Sequence, residues 1–295
     1  MAHENKRHRA HLRLSSQIME LKYYLPRPDL QDYVRAYYYF STDIPAEQPL
    51  CAELGNIRIL LNGAGRMHLP GGRVEAISSA FLLGPTMGAY KIEMQAKTRV
   101  FGVGIRPRGW GALLGINASE VTDDVFDFSD FAGRIAGQAI EQVGNATDIS
   151  AMAAVADQYF ADVLERRRHR TCRYPEALEH WLLNPDELDL DRLVEMMDVS
   201  RRQTDRIAKQ VYGASPKLLQ RKYRALRAAD RIRAGETHWT AAAGPSFYDQ
   251  SHFIKEFRTF IGVTPHQFAS KEAELISTVQ SARRSRAGLI SLASV

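Results

Sequence analysis

The sequence predicts an α+β protein with a β-rich amino-terminal half and an all-α carboxyl-terminal half. In the first half, short runs of Tyr, Val, Ile and Phe alternate with Gly and Pro, which is the pattern of short strands joined by turns. In the second half, apolar residues recur every three or four positions between cap residues, which is the pattern of amphipathic helices. The length of 295 residues agrees with about two domains.

Six segments of the first half have the length and composition of strands. They are residues 34–40, 56–62, 66–69, 80–83, 90–94 and 99–105. Gly- and Pro-containing turns separate them, at residues 63–65 and 70–72 among others. Several short strands in succession predict a small barrel or sandwich, and a helix that opens near Trp110 and reaches Leu114 flanks it.

Residues 149–164 predict a helix with a broad apolar face. Ile149, Met152, Ala156 and Tyr159 lie near heptad spacing along this segment. Such a face packs either against its own domain or against a second subunit, and the spacing alone leaves both alternatives open.

A first helix-turn-helix unit is predicted from residue 188 onward. Its opening helix has an apolar stripe formed by Leu190, Leu193, Val194 and Met197. A turn at Asp198 and Val199 follows. Ser200 then caps a second helix, and Gln203 stands where it would complete a capping box.

A second unit is predicted around the segment FYDQSHFIKEFRTF at residues 247–260. Asp249 caps its helix, and the apolar spacing places Phe253, Ile254, Phe257 and Phe260 on the inner face. The outer face then carries Gln250, Ser251, His252 and Lys255. A helix that enters the major groove of DNA presents polar groups of this kind to base edges and phosphates.

A long helix is predicted between the two units. Gly213 ends the preceding helix, Ser215 caps the next one, and Pro216 suits its first position. The helix should run to about Ala234, a length of roughly 28 Å. A spacer of that size would hold two recognition helices about 34 Å apart, which is one turn of duplex DNA.

Positive charge is concentrated in the same region. Residues 200–235 hold eleven Lys or Arg and two Asp, a balance of +9, whereas the whole chain carries only +5. The cations are Arg201, Arg202, Arg206, Lys209, Lys217, Arg221, Lys222, Arg224, Arg227, Arg231 and Arg233. Together with the two helix-turn-helix patterns, this excess predicts binding to double-stranded DNA.

Residues 174–270 resemble the two-part DNA-binding domain of AraC/XylS transcription regulators. The segment F-Y-D-Q-S-H-F-I-K-E-F-R-T-F-I-G-V-T-P follows the family pattern G-F-x-D-Q-S-H-F-x-R-x-F-K-x-x-x-G-x-T-P closely. The resemblance implies a sequence-specific regulator of transcription that contacts RNA polymerase. The expected DNA contacts are Arg201, Arg202, Asp205 and Arg206 in the first unit and Gln250, Ser251, His252 and Lys255 in the second.

The chain also departs from the family pattern. Gly244 and Pro245 stand where the supporting helix of the second unit normally continues, so that helix should be broken or shortened. In the first recognition helix, Thr204 and Ala208 replace larger apolar residues. Asp205 would repel phosphates unless it accepts from a cytosine amino group or pairs with a neighbouring arginine.

The strand pattern of the first half resembles the cupin-like barrel that serves as a sensor domain in many such regulators. It implies a small-molecule effector, and regulators of this kind often form homodimers through a helix such as 149–164. Candidate ligand-binding residues on the predicted strands are Tyr37, Tyr39, Glu53, Arg58 and Trp110. The expected limits are a basic mobile arm at 1–20, a sensor and dimerisation domain at 21–165, the DNA-binding domain at 174–275 and a flexible tail at 277–295.

Two other functions remain open, namely a cupin-like enzyme or small-molecule-binding protein tethered to DNA, and a non-specific architectural DNA binder. No cofactor is expected because phosphate-binding loops and nucleophile motifs are missing from the sequence. No metal site is expected either, because His68 is the only histidine between residues 12 and 168. The chain lacks an apolar run long enough for a membrane span, and residues 1–16 lack the apolar stretch of a signal peptide. We therefore expect a cytoplasmic protein that is not an enzyme.

Overall fold

The computed structural model describes residues 8–13, 19–77, 79–167, 174–184, 189–236, 238–244, 247 and 249–270. Strands fill the first half and helices fill the second, which confirms the α+β class and the order of the two parts. The expected tail at 277–295 lies outside the described residues.

The strands of the described part form two antiparallel sheets. They are β1 (His8–Arg13), β2 (Met19–Tyr24), β3 (Val34–Thr42), β4 (Ala46–Leu50), β5 (Asn56–Asn62), β6 (Gly65–His68), β7 (Val74–Ala76), β8 (Ala80–Leu83), β9 (Tyr90–Met94), β10 (Thr98–Ile105) and β11 (Val125–Asp127). One sheet has the order β1-β2-β3-β10-β5-β8-β11, and the other has the order β4-β9-β6-β7.

All six predicted strands are present, but the predicted barrel is wrong. The two sheets do not close on each other in the described part of the chain, and they pack face to face as a sandwich. The five strands that were not predicted are β1, β2, β4, β7 and β11, which mostly lie at sheet edges. Residues 8–13, expected in a basic arm, pair with β2 as an edge strand.

Two apolar cores lie on opposite faces of the larger sheet. One core lies between the sheets and includes Phe40, Phe81 and Ile92. The other lies on the outer face and is covered by α1 (Ser129–Asn145), α2 (Ile149–Arg167) and the single helical turn Trp110–Leu114. Met152, Ala156 and Phe160 of α2 are buried in this outer core. The apolar face of α2 is therefore largely packed against its own domain.

The described helices of the second half are α3 (Tyr174–Leu183), α4 (Leu190–Met197), α5 (Arg201–Tyr212), α6 (Pro216–Arg233), α7 (Trp239–Ala243), α8 (Gln250–Ile261) and α9 (Pro265–Ala269). α6 ends at Arg233, and Gly235, two residues later, has a φ of +103° that glycine readily adopts. Its 18 residues span about 27 Å, which confirms the predicted spacer helix. Among the residues that the structure describes, no helix has the length and apolar composition needed to cross a bilayer.

A short loop of the first half, residues 51–54, is buried among the helices of the second half. Leu54 joins the apolar cluster around α4 and α5, and Cys51 joins the cluster around α8. Between them, Ala52 packs on Ala225 and Phe260, and its amide donates to the Phe260 carbonyl at 2.7 Å. The core of each helix-turn-helix unit thus includes a residue from the first half of the chain.

Candidate nucleic-acid interface and sensor cavity

The first unit forms as predicted from α4, a tight turn and α5. The turn reverses the chain at Asp198, whose φ is +52°, a conformation that aspartate tolerates better than most residues. Ser200 Oγ accepts from the Gln203 amide at 3.3 Å and so caps α5. The predicted capping box is only half formed, because the Gln203 side chain accepts from Arg206 Nε at 3.2 Å instead.

The outer face of α5 carries charged residues. Arg201, Arg202 and Arg206 are exposed. Asp205 pairs with Lys209 Nζ at 2.7 Å, and not with a neighbouring arginine, which was one of the two alternatives considered for it. This pair neutralises the carboxylate that would otherwise repel phosphates. Arg201 is held by Asp191 of α4.

One side of α5 lies against the first half of the chain. A cleft of about 390 Å³ separates Gln203, Arg206 and Gln210 from the segment 107–116. Thr122 Oγ1 donates to the Gly213 carbonyl at 3.1 Å, at the end of the same helix. The first half of the chain therefore lies beside Arg206, one of the predicted DNA contacts.

The second unit consists of α7 and α8. α7 has only five residues and ends at Gly244, so the predicted shortening of the supporting helix is confirmed. Asp249 caps α8 by accepting from the His252 amide at 2.7 Å. The four residues predicted for the outer face are all exposed, namely Gln250, Ser251, His252 and Lys255.

The prediction for Ile254 is wrong. Its side chain is 38% exposed, and it lies on the outer face with Lys255 and Arg258. The inner face is completed instead by Glu256 and Ile261, both buried. An ideal helix advances 100° per residue, so Ile254 shares the face of Ser251 and Arg258, three and four positions away. The same geometry also brings Ile254 close to the buried Ile261, seven positions later, so the helical period alone does not decide which face Ile254 takes.

Glu256 connects α8 to the spacer helix. Arg221 of α6 donates to both carboxylate oxygens, from Nε at 2.8 Å and from Nη2 at 2.7 Å. These hydrogen bonds hold the pKa of Glu256 below its ordinary value. The side chain of Glu256 is only 5% exposed, whereas that of Arg221 is 44% exposed. The bidentate pair fixes the recognition helix on its support.

Several of the cations counted in residues 200–235 lie in α6 with their side chains in the interior of the protein. Lys222 is fully buried, and its Nζ donates to the carbonyls of Glu53 at 2.8 Å and Thr86 at 2.9 Å. Burial lowers the pKa of Lys222 to about 8. Arg227 donates to the Leu182 carbonyl, and burial lowers its pKa to about 10. The number of Lys and Arg residues in 200–235 is therefore larger than the number of positive charges that DNA could meet at the surface.

A cavity of about 90 Å³ lies between the two sheets of the first half. Its walls are mostly apolar, with Phe40 and Ile92 among them, and one end is polar. At that end, Arg58 Nη2 donates to Glu53 Oε1 at 2.7 Å, and Arg58 Nε donates to Tyr38 Oη at 2.7 Å. The Tyr90 hydroxyl also bonds to Glu53. Burial raises the pKa of Tyr90, which keeps its hydroxyl protonated.

Of the five predicted ligand-binding residues, only Glu53 and Arg58 line this cavity. Tyr37 is buried in the outer core, where it stacks on Phe101 and donates to Asp157 at 2.9 Å. Trp110 is buried in the same core. Tyr39 packs at the edge of that core with Lys22 over its ring. These three residues lie away from the cavity, and their role as ligand contacts stays a prediction. Tyr37 and Tyr39 lie on the other face of β3 because successive side chains of a strand point to opposite faces. Tyr38, between two of them, is the residue that reaches the cavity.

The described part of the chain contains no cluster of three or more His, Cys, Asp or Glu that could hold a metal ion. His68, the histidine noted in the first half, bonds through Nε2 to Glu93 at 2.6 Å.

Two family models match the chain. Residues 193–271 match a helix-turn-helix domain, and residues 22–127 match a domain of unknown function, DUF6597. The first match includes α5, α6, α7 and α8. No curated protein matches the sequence at a significant level.

Solved structures with a similar chain course include two of ToxT from Vibrio cholerae. One, at 1.65 Å resolution, is 11% identical with a TM-score of 0.46, over 79% of this chain and 97% of that one. The other, bound to an unsaturated fatty acid, is 11% identical with a TM-score of 0.44, over 88% and 97%. The AraC-like transcriptional activator CuxR is 13% identical with a TM-score of 0.33, over 71% and 83%. No conclusion about function follows from these similarities.

Proposed function

The chain belongs to the AraC family of DNA-binding transcription regulators through its helix-turn-helix domain, and from that premise we propose that it reads two successive major grooves of a specific operator. The observation that carries the proposal is the pair of capped helices α5 and α8, each with an exposed polar face, joined by the single helix α6. A spacer of about 27 Å is close to the length of one duplex turn.

Footprinting on fragments of chromosomal DNA tests this proposal. We expect protection of two segments about ten base pairs apart on one side of the duplex. Protection of one segment only would reject the two-groove arrangement. Binding that depends on salt but does not discriminate among sequences would indicate a non-specific architectural protein instead.

The proposed base contacts are Arg206 of α5 and Gln250 of α8. Replacing either residue with alanine should weaken binding to the recovered operator by roughly 1–3 kcal/mol, because each would lose a bidentate hydrogen bond to a base. Lys255→Ala should weaken binding about equally on operator and unrelated DNA, since it is assigned to a phosphate. Electrophoretic mobility shifts on both DNAs measure the difference. Alanine variants with the affinity of the parent protein would refute these assignments.

The salt dependence of binding should be moderate. The exposed cations on the two recognition helices are Arg201, Arg202, Arg206, Lys209, Lys255 and Arg258. At about 0.9 per neutralised phosphate, four to six contacts give a slope of log K against log salt of roughly −4 to −5. Titrations at several KCl concentrations measure it. A slope near −10 would mean that the buried and paired cations of α6 also face DNA.

We further propose that the first half senses an effector and that the protein acts as an activator through RNA polymerase, as the family resemblance implies. The proposed limits remain 21–165 for the sensor domain and 174–275 for the DNA-binding domain. A homodimer would need a surface other than the apolar face of α2, because that face is largely packed against its own domain. Sedimentation of the protein with and without operator DNA tests the oligomeric state.

A further inference from the structure

The loop that enters the helical half also borders the cavity between the sheets. Leu50 and Glu53 line the cavity, whereas Cys51, Ala52 and Leu54 pack among the helices. The backbone of Glu53 faces the interface as well, because its carbonyl accepts from Lys222 of α6. One wall is therefore shared between the cavity and the DNA-binding half.

The size of the cavity determines what filling it requires. About 90 Å³ is less than the roughly 150 Å³ of an engineered protein cavity that binds benzene, and far less than the roughly 300–1,000 Å³ of typical ligand sites. A ligand larger than a few atoms must therefore displace part of the lining. Most of the lining belongs to paired strands, but residues 51–55 form no strand. The backbone of residues 52 and 53 is bonded to Thr86, to Lys222 of α6 and to Phe260 of α8, so displacement of this loop acts directly on its contacts with both helices.

The polar end of the cavity selects the charge of the ligand. Arg58 and Glu53 already neutralise each other, so a ligand carboxylate would leave one buried carboxylate without its cation, which is costly. The Tyr38 hydroxyl accepts from Arg58 Nε and donates to no acceptor among the described residues. It is thus able to donate to a ligand. A neutral molecule with one hydrogen-bond acceptor fits these groups.

We propose that this cavity binds a neutral, mostly apolar effector through the Tyr38 hydroxyl, and that filling it displaces residues 51–54 and thereby shifts α6 and α8. The proposal rests on the proposed function only in assigning those helices to DNA. Lys222 is the positioning residue of this connection, because its ammonium bridges the carbonyls of Glu53 and Thr86. Ala52, bonded to Phe260 of α8, provides the second link.

Calorimetry of the full chain with three small probes tests the binding site. Butyrophenone carries one carbonyl acceptor, butylbenzene lacks it, and 4-propylbenzoate carries a carboxylate. We expect butyrophenone to bind roughly tenfold more tightly than either of the others. Ile92→Trp should abolish this binding by filling the cavity, whereas the control Ile135→Trp, at a 40% exposed position on α1, should retain it. Preference for the benzoate, equal binding by Ile92→Trp, or no binding of any probe to the parent protein would overturn the proposal.

Amide hydrogen exchange without DNA tests the connection. Saturating butyrophenone should accelerate exchange at residues 51–54 and at the end of α8 by roughly tenfold, since displacement of the loop weakens the bond between Ala52 and Phe260. In Lys222→Met, the ligand should still bind, but exchange in α6 should no longer respond. If that variant does not fold, Tyr38→Phe serves instead, and it should lose the preference for butyrophenone over butylbenzene. Binding with unchanged exchange in the parent protein would overturn the connection while leaving the DNA-binding proposal intact.

Discussion

Replacing Phe257 with alanine is expected to destabilise the second helix-turn-helix unit by about 3–5 kcal/mol. Phe257 is fully buried, and its ring meets those of Phe253 and Phe268 with centroid distances of 5.6 and 5.5 Å. Truncation removes a large apolar surface and leaves a void that a ring of neighbouring aromatics fills poorly. Native-state hydrogen exchange in α8 measures the loss, because it reports this unit separately from the first half of the chain.

Ile254→Ala is the matched control for that experiment. It lies three residues earlier on the same helix but faces outward. We expect a change in stability below about 0.5 kcal/mol and a loss of operator affinity of roughly 1 kcal/mol, as for an apolar contact with a thymine methyl group. The reverse result, a destabilised Ile254→Ala protein with normal DNA affinity, would mean that the outer face of α8 does not meet DNA.

Arg221→Ala should cost roughly 2–3 kcal/mol, because it leaves the buried Glu256 carboxylate without its partner. This is less than the ~3–5 kcal/mol of a fully buried pair, since Arg221 is partly exposed. Lys217→Ala, on an exposed position of the same helix, should change stability by less than about 0.5 kcal/mol. Hydrogen exchange in α6 and α8 at neutral pH compares the two variants.

The Arg221–Glu256 pair also predicts a pH dependence. The pKa of Glu256 is lowered in the folded protein, so the contribution of the pair is present above the ordinary glutamate pKa of about 4.3 and is lost as the pH falls through the lower folded value. The deficit of Arg221→Ala should therefore shrink below about pH 4. A deficit that stays constant from pH 7 to pH 3.5 would show that packing, and not charge, explains it.

The helical half could be predicted well because its signals are local. Ser200, Ser215 and Asp249 each cap a helix through a neighbouring amide, and Gly235 follows the end of the spacer helix. A helix cap and a helical apolar period can each be recognised from a few consecutive residues. The same period predicted the exposed residues of α8 correctly. The exception is Ile254, which was assigned to the inner face because it is next to Phe253.

The first half of the chain was less predictable because the contacts that decide its fold are long-range. β4 and β7 are edge strands of the smaller sheet, with weak composition signals, and nothing in their own residues shows which sheet they join. Alternate side chains of the strand segment Tyr37–Tyr39 point to opposite faces of the sheet. Which of the three rings faces the cavity depends on how the two sheets pack, and the segment itself does not show this. Lys222 was assigned to the surface because its two carbonyl partners lie 136 and 169 residues away.

The placement of residues 51–54 limits how this regulator can be re-engineered. A chimera that joins residues 174–295 to an unrelated domain would lack Cys51, Ala52 and Leu54. Apolar side chains of both helix-turn-helix units would then be exposed to solvent. Transplanting the loop together with the helices would restore those contacts. The unit to be exchanged is therefore discontinuous in the chain, because it comprises the helices together with the loop 51–54.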